Sequence, residues 1–129
     1  MTQLVPPVSF QNVLVWVSPN EEQPGKYTVV TEPEIPVIVN EDTIINYQIV
    51  DTAGYPIVFT GMSVKPKDNG QLSHASVSVD GRLLTFSDLN TVKMMLNITL
   101  HFKDKDNVEF SHDPQVSNDP RLNLPGTAK

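Results

Sequence analysis

The chain has 129 residues, a net charge of −6 and no cysteine. That length fits one domain able to bury roughly two-thirds of its unfolded surface. The acidic balance argues against nucleic-acid binding, which needs a basic patch, and the missing cysteines exclude disulfides, thiolate zinc sites and cysteine nucleophiles. Apolar residues make up 39%, enough for a folded core, and 11 prolines argue against long helices. No apolar run reaches the ~18 residues of a membrane span. The start, MTQLVPPVSF, has neither a positive n-region nor an apolar h-region. The expectation is a cytoplasmic protein without a membrane partner.

Strand signals run along the whole chain. From Val8 to Val17, Phe10, Asn12, Leu14 and Trp16 alternate with Gln11, Val13, Val15 and Val17. Both sets become apolar toward the end, as in a strand covered on two sides, which would put Trp16 in the core. Tyr27 to Thr31 is a second strand. Glu32-Pro33-Glu34-Ile35-Pro36 cannot be a central strand, because two prolines remove two donors, and reads as an edge or a kinked crossing. Val37–Val39, Thr43–Val50 and Ile57–Val64 follow, separated by turn residues. Asp80-Gly81 between two β-prone runs predicts a hairpin with a type I′ turn. Met94 to Phe102 alternates again, with Leu96, Ile98, Leu100 and Phe102 on one face.

The last hairpin has a predictable register, because directly opposed residues share a face. Pairing Phe102 with Phe110 leaves Lys105-Asp106-Asn107 as a three-residue loop with Asn107 left-handed. Leu100 then falls opposite His112 and Thr99 opposite Asp113. Carried past Pro114, the same register sets Lys93 opposite Asp119. From Ser117 to Lys129 the composition predicts an extended tail. About eight short strands predict an all-β, antiparallel, immunoglobulin-like β-sandwich spanning 1–129 as one domain; a small barrel is the alternative.

Two Asp-Pro bonds carry the sharpest chemistry: Asp113-Pro114 and Asp119-Pro120. An Asp carboxyl reaches its own carbonyl carbon through a five-membered ring, and proline nitrogen leaves readily once protonated. A fold would promote cleavage by fixing the carboxyl near that carbonyl, or by desolvating it. Glu32, Glu34 and Asp88 are candidates for activating water by residue type alone. A desolvated Lys93 amine would capture an activated Asp as a side-chain amide. The plain alternatives are turn-forming Asp-Pro pairs and an edge lysine that blocks strand pairing. Three histidines, His74, His101 and His112, do not converge, since the register puts His101 and His112 on opposite faces; no metal or cofactor is expected.

Several segments together resemble a known family. Glu32-Pro33, Ile45 to Ile49, Gly54 to Gly61, Asp80-Gly81, Asp104 to Asn107 and His112 to Asn118 occur in an order similar to the small bacterial DP-EP family. They are also distantly similar to bacterial inclusion-body proteins, which share a DP-x-[VI]-x-N ending. The resemblance implies a β-sandwich and autocatalytic, aspartic-type cleavage of the chain at an Asp-Pro bond near its C-terminus. By motif, Asp113-Pro114 is the scissile pair and Glu32 the Glu-Pro position; Asp119-Pro120 is the competing site, beside Lys93. The partner would be the chain itself, through cleavage or through self-association as a non-enzymatic structural module.

Overall fold

A computed structural model describes residues 9–24 and 26–120 of the protein. Ten strands and no helix occur among them. They are β1 (Ser9–Pro19), β2 (Tyr27–Glu32), β3 (Val37–Ile38), β4 (Thr43–Asp51) and β5 (Val58–Lys65). The remainder are β6 (Ser76–Val77), β7 (Leu83–Asp88), β8 (Met94–Lys103), β9 (Glu109–His112) and β10 (Gln115–Asn118). One sheet runs β2-β1-β4-β7-β6 and the other β3-β10-β8-β5, with β9 on the β10 side of β8. The sheets pack as a sandwich. Most pairs are antiparallel, but β1–β4 and β3–β10 are parallel, so both sheets are mixed rather than purely antiparallel.

Alternation builds the core. Leu96, Ile98, Leu100 and Phe102 of β8 are fully buried, and Ile45 and Tyr47 of β4 meet them from the other sheet. Each such side chain contributes about 1.5–3 kcal/mol by leaving water. Phe59, Phe102 and Phe110 stack in sequence, with ring centroids 5.0 Å apart at both steps, and Tyr27 of β2 closes the stack on Phe110 at 4.6 Å. This column joins the two sheets.

Three local expectations change. Trp16 lies outward, 37% exposed, opposite Val30, because the valines at 13, 15 and 17 form the inward face of β1. The turn between β6 and β7 is not type I′. That type needs a positive φ at both central residues, but only Gly81 has one, at 75°. The Gly81 amide donates to Ser78 O, and the Asp80 carboxylate accepts from Arg82 N and Ser78 Oγ. The tail expected from Ser117 starts later: Ser117 and Asn118 belong to β10, between β8 and β3. Residues 121–129 of that tail lie outside the described residues.

The terminal hairpin keeps the expected register. Phe102 pairs with Phe110 and Leu100 with His112, and Asn107 is left-handed at φ 61°. Asp104 accepts from the amides of Asp106 and Val108 through Oδ1, and from the Tyr27 hydroxyl through Oδ2 at 2.8 Å. The loop therefore uses its carboxylate for turn closure. Tyr27 is pushed up to about 12, first by this hydrogen bond and then by burial and the Asp104 charge.

Candidate functional site

β9 and β10 form one interrupted partner for β8. Leu100 pairs with His112 above the break, and Asn97 with Gln115 below it, at an unchanged offset. Pro114 lacks an amide hydrogen, so the ladder loses a donor there. Its carbonyl remains in place, accepting from Ile98 N at 2.8 Å. The register thus passes through the proline. Met94 pairs with Asn118, and the ladder ends there, short of Lys93 and Asp119.

The interruption opens onto a groove of about 500 Å³, lined among others by Thr31, Glu34, Ile35, His112, Asp113 and Pro114. Two distant parts of the sequence meet here. The segment after β2, whose Glu32–Pro33 bond is cis, crosses from one sheet to the other and brings Glu34 and Ile35 beside the β9–β10 junction. Pro36 O then accepts from Ser117 N, tying the crossing to β10. Partial burial holds the His112 imidazole below its ordinary value, and the negative charges of Asp113 and Glu34 restore part of the shift.

The expected site residues are distributed unevenly. Asp113 is exposed at the groove and Pro114 is buried. Glu32 is exposed at the end of β2, and of these two glutamates it is Glu34 that lines the groove. Lys93 is exposed rather than desolvated. Asp119 and Pro120 are half-buried beyond the end of β10, and the Asp119 amide donates to Ile38 O at 2.8 Å. Among the described residues no group of three or more His, Asp or Glu side chains is arranged to hold a metal ion.

A second polar centre lies at the other end of β10. Asp88, Asn90 and Asn118 are all buried, with at most 1% exposure. Asn118 Nδ2 and the Asn90 amide both donate to Asp88 Oδ1, each at 3.0 Å. Asn90 Nδ2 reaches across to the carbonyls of Ile38 and Asn40. Gln71 Oε1 accepts from the amides of Thr91 and Val92 and, at 3.4 Å, from Asn118 Nδ2. Burial raises the Asp88 carboxyl, against the lowering effect of its two hydrogen bonds. Asp88 was visible in the sequence only as an acid. Its link to Asn118 spans 30 residues, and no local pattern encodes it.

The order Asp113-Pro114-Gln115-Val116-Ser117-Asn118 now has a physical reading. Pro114, Val116 and Asn118 point inward as a period-2 set, the first flooring the groove, the second filling the core and the third entering the polar centre. These features define a mixed β-sandwich in which an Asp-Pro segment and a Glu-Pro segment adjoin across the open side of the two sheets. The chain belongs to the DP-EP family, whose match covers residues 11–120. No curated protein matches it. Among solved structures it is similar to the crystal structure of Lac15 from a marine microbial metagenome. That similarity has a TM-score of 0.40 and 13% identity, over 93% of this chain and 36% of the other. The chain therefore spans about a third of that structure's length.

Proposed function

We propose that the protein processes itself once, by cleaving its Asp113–Pro114 bond. The observation that supports this reading is the shared groove, in which the bond is accompanied by an imidazole and a second carboxylate, His112 and Glu34. Asp113 Oδ attacks its own carbonyl carbon as the carbon–nitrogen bond breaks. His112 passes a proton to the departing proline nitrogen, which becomes a new N-terminus. The resulting cyclic anhydride takes up one water, from which Glu34 draws a proton that passes on to His112, and opens to one carboxylic acid and one carboxylate. Net change is hydrolysis of one peptide bond. A lowered imidazole value makes protonated His112 a readier donor, so the rate falls as pH rises past that value.

Cleavage would be silent under native conditions, since β10 is paired on both sides. Mass measurement of the denatured chain after incubation across a pH series is the test. The expected product is a C-terminal peptide beginning at Pro114, lost in Asp113→Ala and slowed in His112→Gln. A fragment beginning at Pro120 instead would move the site to Asp119. A chain of full mass at every pH would end the reading.

A second reading, a self-associating structural module, is favoured by the outer face of the first sheet. Phe10 is 63% exposed there, and Trp16 and Val30 form an exposed cross-strand pair. Light scattering over a concentration series tests it: a dimer or larger species, weakened in Trp16→Ser, is expected, and a strict monomer refutes it.

A further inference from the structure

The polar centre at the end of β10 has an imbalance in its hydrogen bonds. Asp88 Oδ2, Asn90 Oδ1 and Asn118 Oδ1 are buried oxygens without a donor. Turning either amide does not help, because both Nδ2 groups already donate, to Asp88 Oδ1 and to the carbonyls of Ile38 and Asn40. What the cluster lacks is a hydrogen. A buried acceptor without a donor is destabilising, and an ionised carboxylate in that position is more so.

One proton on Asp88 supplies two of the three. A carboxylic acid and a carboxamide are both planar forks with one donor and one acceptor side by side. The first bond of such a pair exists, from Asn118 Nδ2 to Asp88 Oδ1. We infer that Asp88 is carried as a neutral acid whose Oδ2–H is donated to Asn118 Oδ1, closing a two-bond ring that acts as a proton-operated latch on the C-terminal strand. The groups facing Asp88 are Asn118 from β10, Asn90 from its own loop, Thr43 opposite on β4 and Leu72 across an isolated bridge. The adjoining segments carry Glu41, Asp42, Asp68, Lys93 and Asp119 among their charged groups, and none of these is among the causes acting on Asp88.

Asn118 is the last residue of β10, and the next amide, that of Asp119, is held by Ile38 O. With the acid protonated, the end of β10 is fixed to β7 from inside. Once Asp88 ionises, Asn118 Oδ1 faces a carboxylate and the strand end loosens. This latch does not depend on the cleavage reading, because it involves neither Asp113 nor His112.

The sign follows from linkage. A raised folded-state value means that the native chain binds more protons above the unfolded aspartate value of about 3.9. Stability is then greatest below that value and falls as pH rises toward the folded value of Asp88. Asp88→Asn keeps a donor at Oδ2 and an acceptor at Oδ1, so it imitates the protonated state at every pH. The ratio of unfolding constants, wild type over Asp88→Asn, should rise about tenfold per pH unit within that window and then level. Asp88→Asn should be the more stable form at neutral pH. Carbon-13 titration of the Asp88 carboxyl in the intact Asp113→Ala chain gives a direct reading, even if Asp88→Asn does not fold. It should titrate above the ordinary aspartate value, and protection of the Asp119 amide should fall in step. A carboxyl titrating at or below the ordinary value overturns the latch, as does a constant ratio across the window. Stabilisation by added calcium ion in wild type but not in Asp88→Asn also overturns it, because the oxygens would then hold a cation.

Discussion

Gly81 fixes the distance between the sheets on the side away from the groove, and replacing it by alanine has a calculable cost. Its carbonyl accepts from Phe59 N at 2.8 Å, so β5 lies directly against the β6–β7 turn. A Cβ at Gly81 would stand 2.5 Å from Val58 Cβ and 2.6 Å from its Cγ1. Val58 Cβ is fixed to the β5 backbone, so relief requires one sheet to move. The left-handed backbone, at φ 75°, adds roughly 1–2 kcal/mol for a residue with a Cβ. Overpacking adds roughly 1–3 kcal/mol, and the stiffer unfolded chain returns about 0.4–1 kcal/mol. The net is a loss of about 2–4 kcal/mol. In a urea melt this lowers the midpoint by about 1 M or more. Gly70→Ala is the control, with φ 68° and nothing within 4 Å of the added carbon. It should lose only the backbone part, about 1 kcal/mol or less. If both variants lose the same amount, the close approach between Gly81 and Val58 contributes nothing and the reasoning fails.

The buried Tyr47 hydroxyl has no hydrogen-bond partner, and burial raises its phenol. Tyr47→Phe removes an unsatisfied group while keeping the ring against Phe86, so stability should rise by about 1 kcal/mol in the same melt; a loss would mean that the hydroxyl is satisfied. Tyr27 gives a test at alkaline pH. Its folded value of about 12 exceeds the unfolded value, so its contribution is complete below about pH 10 and disappears as pH rises toward the folded value. Tyr27→Phe should remove that alkaline slope, read from denaturant melts at stepped pH; an unchanged slope would assign it to another group.

The sequence made part of this molecule legible, and the boundary has physical causes. The β8–β9 register could be worked out because two phenylalanines had to share a face and a left-handed Asn was available for the loop. The crossing after β2 could be read because two prolines cannot sit in a central strand. Trp16 turns outward against the pattern because β1 is apolar on both faces near its end, and alternation alone does not say which face is covered. The Asp80-Gly81 turn departs from type I′ because the same dipeptide serves more than one turn type, and its contact with Val58 lies far away in the chain. Glu34 and Asp88 stood among several acids of equal standing. Only the tertiary fold brings Glu34 to the groove and buries Asp88 against Asn118.

β10 lies inside its sheet, between β8 and β3, and is four residues long. Its two neighbours, an inward Val116 and the polar socket for Asn118 together form a seat specific to one short peptide. Such a seat predicts that assembly tolerates a break in the chain at residue 113. The first 113 residues and a synthetic segment starting at Pro114 should reconstitute when mixed, as a fragment-complementation pair.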